Sequence, residues 1–385
     1  MSIALLASTA SNAEASQIIG TINGVIQDIN ENALIGASAT TSLRNAVIGG
    51  DFGTNPWQRG TSFTGITSTA FYTADRFFGI GGASSSISIS RQTTTPPPGF
   101  AAVARFGRAS SNADVDPIKF GQVFTSANST RFQGQPFVLS FYARAGATYS
   151  PASSALGITV ATGTGSDETT ANYAAGSWTG YAAATLYGSA GTAVTSVTLT
   201  TSFARYSVSG VIPTGATQIG FNISMTPVGT AGATDYVELT GVQFEVMPQG
   251  GVQPTPFEAL PASLVRSLCY AYYWRLNETG TGAPQVVGVN ASTSTARFLI
   301  TFPVPMRTTP TVNGGADGST TSIGSLAMVL PLGTTATTTL TLITSSGTPN
   351  GISALGTCTV ALTSGGATML VSGGGAGFIA ASGEL

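Results

Sequence analysis

A mainly β fold is predicted for this chain: a short N-terminal helix, a jelly-roll β-sandwich, a short helical neck and a C-terminal β-rich tip domain, assembled as a trimer. Three observations carry the prediction. Apolar and polar residues alternate in one short run after another, the period of a strand with one buried face. Charged residues are only 8% of the 385, yet no apolar run is long enough to span a bilayer. The 49 glycines, set among abundant Ser, Thr and Ala, call for many turns and close backbone approach. Low charge combined with β-branched and aromatic alternation argues against disorder. A chain of 385 residues is long enough for two or three domains with real cores.

Taken in order, residues 1–44 hold the best helix candidate, from Ala13 to Leu34. Ile18, Ile22, Val25 and Ile29 follow seam spacing, and isoleucine at both seam positions favours three-stranded coiled coils. Gly20 and Gly24 each weaken that helix by about 1 kcal/mol. An amphipathic helix lying on the domain's own core is the alternative. Residues 45–258 read as the sandwich. Its strands are expected at Phe71–Ile80, Ser86–Arg91, Val103–Arg108, Lys119–Phe124, Phe137–Arg144, Leu156–Thr162, Val194–Thr200, Phe203–Val211, Gln218–Ser224 and Asp235–Val246. Pro96-Pro97-Pro98 stiffens one loop, and Gly163–Trp178 reads as a polar loop. Residues 259–278 form the neck, with Leu264, Leu268 and Ala271 near helical spacing from Leu260 to Trp274. Residues 279–385 carry short strands at Arg297–Phe302, Ile323–Leu332, Thr338–Ile343, Thr357–Thr363 and Thr368–Ser372. Several lack large apolar residues, so either three copies share a core or the segment is a small sandwich of its own. Gly373-Gly374-Gly375 implies backbone packed close to a neighbour.

The stretch from Asp235 to Trp274 joins these parts: a strand, a Pro/Gly-rich joint, then a helix ending in aromatic residues. Its order TGVQFEV, TPFEALP, SLCYAYYW resembles the middle of tailed-phage fibre proteins. Asn55-Pro56-Trp57-Gln58-Arg59-Gly60, Thr73-Ala74-Asp75-Arg76-Phe77, Leu139-Ser140-Phe141-Tyr142-Ala143-Arg144 and Phe302-Pro303-Val304-Pro305-Met306-Arg307 extend the likeness over roughly Asn45 to Val312. Tyr270-Ala271 stands where that family usually has Gln-Arg, and the first segment and last stretch match nothing in it. The resemblance implies a carbohydrate-binding-module-like jelly roll in a virion fibre.

The chemistry absent is as informative. Without histidine there is no Ser-His-Asp or Cys-His nucleophile, and the commonest metal ligand is missing. Two cysteines, Cys269 and Cys358, do not make a zinc site and read as buried thiols or one disulfide. A net charge of −2 with one lysine, Lys119, offers no basic stripe for nucleic acid. The acidic pairs Asp114/Asp116 and Asp167/Glu168 read as polar loops rather than glycosidase carboxylates, and no β-helix period is visible. No cofactor is implied. Trp57 reads as core, Asp75 and Arg76 as residues of structural ion pairs or turn bonds beside Phe77 and Phe78, and Glu245 as a lone acid where similar modules hold calcium. The candidate ligand platforms are the loop aromatics Tyr149, Tyr173, Trp178 and Tyr181, near Asn172 and Asp167, with edge packing or protomer contact as the alternative.

These readings converge on a non-enzymatic, homotrimeric virion fibre. It would be assembled in the host cytoplasm and act extracellularly, as the N-terminus has no basic region of a secretory signal. It would attach to baseplate, tail or capsid through its N-terminus and adhere to host-surface glycan, with no nucleic-acid partner and no membrane insertion. The alternative is a mainly structural fibre or spike without its own receptor site.

Overall fold

The computed structural model describes residues 43–82, 87–247, 253–277, 284–314, 326–329, 339–357, 361–372 and 378–385. The N-terminal segment with Ile18, Ile22, Val25 and Ile29 lies outside the described residues, as do Cys358 and Gly373–Gly375.

The first part is built from β1 (Ser62–Thr64), β2 (Phe71–Tyr72), β3 (Phe77–Ile80), β4 (Ile87–Gln92), β5 (Val103–Arg108), β6 (Ile118–Phe124), β7 (Pro136–Ala145), β8 (Ala155–Gly163), β9 (Ala182–Ala183), β10 (Leu186–Tyr187), β11 (Ala193–Val194), β12 (Ser196–Thr198), β13 (Ala204–Val211), β14 (Gln218–Met225) and β15 (Tyr236–Val246). They make an eight-stranded sheet ordered β1-β4-β5-β15-β7-β13-β10-β11 and a second sheet ordered β12-β8-β14-β6-β3-β2. Consider β5, β6, β7, β8, β12, β13, β14 and β15 in chain order. The first, eighth, third and sixth lie side by side in one sheet; the second, seventh, fourth and fifth lie in the other. That is the jelly-roll order, so the expected mainly β sandwich is present with its topology defined.

Between the sheets lies a phenylalanine-rich core. Phe77 stacks on Phe120 at 5.1 Å between centroids, and Phe244 stacks on Phe137 at 4.9 Å. Trp57 is core as expected, its Nε1 donating to Phe52 O at 3.0 Å. Gly121 of β6 lies close against β14, because a Cβ there would meet Phe221 O at 2.0 Å.

The second part contains β16 (Tyr273–Asn277), β17 (Pro284–Asn290), β18 (Thr295–Thr301), β19 (Thr311–Gly314), β20 (Leu326–Val329), β21 (Thr339–Thr348), β22 (Gly351–Thr357), β23 (Ala367–Ser372) and β24 (Phe378–Ser382). A three-stranded sheet β16-β24-β19 sits beside a six-stranded sheet β20-β23-β17-β18-β22-β21. Together they bury Trp274, Phe298, Ile300, Phe302, Ile352, Leu370 and Ile379.

Three local expectations are corrected. The run Phe71–Ile80 is not one strand, because Ala74 and Phe77 close a backbone turn between β2 and β3. The helix after the joint covers Ala262–Tyr270 only; Tyr273 and Trp274 belong to β16, where they pair with Ser382 and Ala381. Within the expected loop Gly163–Trp178, residues Thr170–Ala175 form a helical turn capped by Thr169.

Candidate functional site: the outward face of the eight-stranded sheet

The motifs that linked the parts in sequence are tied together in space. Gln243 and Glu245 point outward from β15 and hold the Thr255–Glu258 segment across the sheet. Glu245 accepts from Thr255 N at 2.9 Å and Thr255 Oγ1 at 2.7 Å, while Gln243 Oε1 accepts from Glu258 N at 2.8 Å. Glu245 also faces Arg44 at 3.8 Å, so its carboxylate is fully engaged within the fold. This strap covers one end of the outward face and leaves the other open.

On the open end, cross-strand neighbours build a row. Glu238 of β15 lies opposite Arg105 of β5 and Arg144 of β7. Arg105 Nε donates to Glu238 Oε1 at 3.0 Å and Arg144 Nε donates to Oε2 at 2.6 Å. The carboxylate is 1% exposed, whereas the two arginines are 32% and 24% exposed. Each guanidinium lies over a half-buried ring: Arg105 over Tyr236 at 4.0 Å, Arg144 over Phe203 at 4.6 Å. In the next row Tyr142 pairs with Arg205, whose guanidinium is 5.8 Å from the tyrosine centroid. Phe100 packs on Tyr142 and on Phe257 of the strap, both at 5.2 Å between centroids. Gly241, at a β-bulge with φ of 60°, makes room for this contact, since a Cβ there would meet Phe100 Cζ at 2.6 Å.

The face therefore offers aromatic surface flanked by three guanidinium groups around one carboxylate. Such a set can stack against a flat apolar ligand face and donate hydrogen bonds to hydroxyl or carboxylate oxygens. Sequence reasoning missed it, although Tyr142 and Arg144 belong to the Leu139–Arg144 motif singled out above. A signal did exist. In a chain with 14 cations, three occupy outward strand positions next to outward aromatics.

The aromatics nominated from sequence are placed elsewhere. Tyr173, Trp178 and Tyr181 come together, but Tyr173 and Trp178 are buried beneath the Thr170–Ala175 turn. Tyr173 Oη accepts from Asn222 Nδ2 at 3.0 Å, and Trp178 Nε1 donates to Thr169 O at 3.1 Å. Burial raises the Tyr173 hydroxyl well above the usual tyrosine range. Their nomination as platforms is corrected, because a ligand has no access to either ring. Tyr181 is half-buried against Tyr173. Tyr149 is separate from these three, packed on the main core with its hydroxyl donating to Ala155 O at 2.8 Å.

Two clefts lie elsewhere on the sandwich. One of about 380 Å³ is lined by Phe63, Phe71 and Arg59, but that guanidinium is committed to Glu384 and stacked on Tyr273. The other, about 500 Å³, is lined by Ile158, Thr159, Thr185, Thr195 and Ser224 and has neither ring nor charge. Among the described residues no group of three His, Cys, Asp or Glu side chains could hold a metal ion.

The Asn55–Gly60 and Thr73–Phe77 motifs build the joint between the two parts. Asp75 accepts from Gln58 N at 2.9 Å and Gln58 Nε2 at 3.1 Å, and Arg59 lies 3.5 Å away. Gln58 Nε2 also donates to Tyr273 O at 2.7 Å. Arg76, with φ of 71°, pairs with Glu384, donates to Val123 O at 2.7 Å and lies over the Tyr272 ring at 3.6 Å. Burial pushes the Asp75 carboxyl up to about 6 despite the pull of Arg59. A carboxyl raised on folding stabilises below its unfolded value, and that contribution is lost as pH rises through about 6. The unfolding free energy at pH 4 relative to that at pH 7, from denaturant titrations, is therefore expected to be higher in the wild type than in Asp75→Asn, by up to roughly 3 kcal/mol. Parallel pH profiles would show that Asp75 does not titrate in this range.

No protein-family model matches the sequence, and no curated protein matches it. Among solved structures, the enzymatically active domain of tailspike protein 4 of bacteriophage CBA120 aligns at 10% identity with a TM-score of 0.28. That alignment covers 53% of this chain and only 21% of the tailspike chain. The C-terminal family 22 carbohydrate-binding module of Clostridium thermocellum Xyn10B aligns at 12% identity and TM-score 0.25, covering 44% of this chain and 86% of the module. A Caldicellulosiruptor saccharolyticus CBM27-1 module, solved with mannohexaose, aligns at 12% and 0.25, covering 41% and 81%. Likeness at this level transfers no residue and no activity.

Proposed function

We propose that this chain is a non-catalytic adhesin of a tailed-phage virion fibre that binds host-surface glycan through the open face of its eight-stranded sheet. The observation that carries this reading is the row Arg105–Glu238–Arg144, flanked by Tyr236, Phe203 and Tyr142. At the open end three arginines against one glutamate leave the surface cationic, which favours a saccharide bearing carboxylate groups over a neutral one. Each buried acidic residue among those described, Asp75, Asp235, Glu238 and Glu245, faces an arginine, a structural rather than a catalytic use. Weak single contacts would gain from three copies acting together, in a homotrimer held to baseplate, tail or capsid by residues 1–44.

The test is binding of the purified chain to intact host cells and to cells stripped of surface polysaccharide. Tyr142→Ala and Arg144→Ala are each expected to weaken binding at least tenfold while leaving the unfolding temperature within a few degrees of wild type. Unchanged binding in both variants would move the receptor site off this face. The rival reading, a mainly structural fibre, draws on the buried Arg59–Glu384–Arg76 joint, which stiffens the chain without serving a ligand. It takes over if the folded wild type binds no cell.

A further inference from the structure

We infer that the cleft at the β1 edge holds the terminal, uncharged sugar of the same glycan whose acidic unit rests on Arg105 and Arg144, so that a glycan end is what the chain recognises. This rests on the reading that the open face binds an acidic glycan, and it names the part of that glycan that is read.

Register lays a path between the two places. Glu238 stands opposite Arg144 on one side and Arg105 on the other, Arg105 opposite Ser90 of β4, and Ser90 opposite Ser62 of β1. Directly opposed residues of neighbouring strands point to the same face. The row Arg144–Glu238–Arg105–Ser90–Ser62 therefore crosses the outward face from β7 to β1. At a strand spacing of about 4.8 Å its four steps span about 19 Å, and a linked pyranose advances by nearly one step, so about five sugars fit the row. Its character changes along the way: guanidinium groups at one end, hydroxyls at the other.

The path ends at β1, the edge strand of its sheet. Beyond it, residues 65–70 and Phe71 of β2, a strand of the other sheet, form the far wall of the cleft of about 380 Å³. Ser62 belongs both to the row and to the lining of this cleft. Phe63 and Phe71 meet edge-on there at 5.7 Å between centroids, and Thr64, Thr67 and Thr69 add hydroxyls. Aromatic surface beside several hydroxyls suits a pyranose, and the volume is that of a small-ligand site rather than of a channel. Among the described residues that line it, Arg59 is the one charged side chain, balanced by Glu384 at 3.3 Å and Asp75 at 3.5 Å. A balanced charge gives a carboxylate no net attraction, so the occupant is a neutral sugar.

The experiment uses the full chain and acidic fragments of host-surface polysaccharide, released by mild acid and separated by size. Affinity of the wild type should rise with fragment length up to about five units and then level off. Thr69→Trp, which fills the cleft from an exposed position, should weaken binding of five-unit fragments at least tenfold and leave binding of two-unit fragments within twofold. Arg144→Ala should weaken both. Uncut polysaccharide should saturate at a fixed number of bound copies per chain end, whatever its length. A capacity that grows with polymer length overturns the inference, since internal stretches are then bound. So does a Thr69→Trp chain that holds five-unit fragments as tightly as wild type while Arg144→Ala does not, a result that leaves the proposed function standing. If neither variant weakens binding, both fall together.

Discussion

Glu384→Gln is expected to lower unfolding free energy by about 3–5 kcal/mol, the usual cost of removing one partner from a buried ion pair. One carboxylate there serves two guanidinium groups: Oε1 faces Arg59 Nη2 at 3.3 Å, and Oε2 faces Arg76 Nη1. The side chains of Arg59 and Arg76 are 6% and 2% exposed, so water cannot replace what is lost. Glutamine keeps the shape but removes the charge. Asp75, itself held by burial at about 6, is then the remaining acid beside Arg59. Chemical denaturation of the two proteins measures the difference. A loss under 1 kcal/mol would mean that the Tyr272 and Tyr273 rings stacked on these guanidinium groups, at 3.6 and 3.5 Å, suffice to hold them.

Phe244→Ala is expected to cost about 3–5 kcal/mol as well, but by a different mechanism, the opening of a cavity in a close-packed core. Phe244 stacks on Phe137 at 4.9 Å and meets Phe132 and Phe124 edge-on at 5.0 and 5.3 Å. Its ring comes from β15 of one sheet and Phe124 from β6 of the other, so the contact bridges the sandwich. The loss should be independent of pH and salt, whereas that of Glu384→Gln should not. Equal salt dependence in the two variants would count against this division.

Much of the sandwich was legible because its strands combine strict alternation with Phe, Ile and Val. Val103–Arg108 coincides with β5, and Phe137–Arg144 falls within one residue of β7 at each end. Strand order was not legible, since β5 pairs with β15 across more than a hundred residues of chain and alternation names no partner. Short strands of small residues were missed, such as Phe378–Ser382, whose sequence FIAAS has no clear period. The consecutive aromatics Tyr272–Trp274 were read into the helix for the same reason, and only pairing with β24 makes Tyr273 and Trp274 strand. At the candidate site, polar surroundings point to the loop aromatics, yet the Thr170–Ala175 turn folds Tyr173 and Trp178 inward. The strand residues that replace them, Arg105, Tyr142, Arg144 and Tyr236, become a set only through cross-strand register.

The pairing of β16 with β24 has one more consequence. Asn277, the last residue of the strand leading into the second part, is the register partner of Phe378, the first residue of the strand leading back. The stretch between them comes back to the same place, because β19 pairs with the other edge of β24 and Arg307 Nε donates to Gly383 O at 2.9 Å. The way in, the way out and the middle of the second part are thus moored at a single strand, so a substitution that unpairs β24 is expected to loosen all three together.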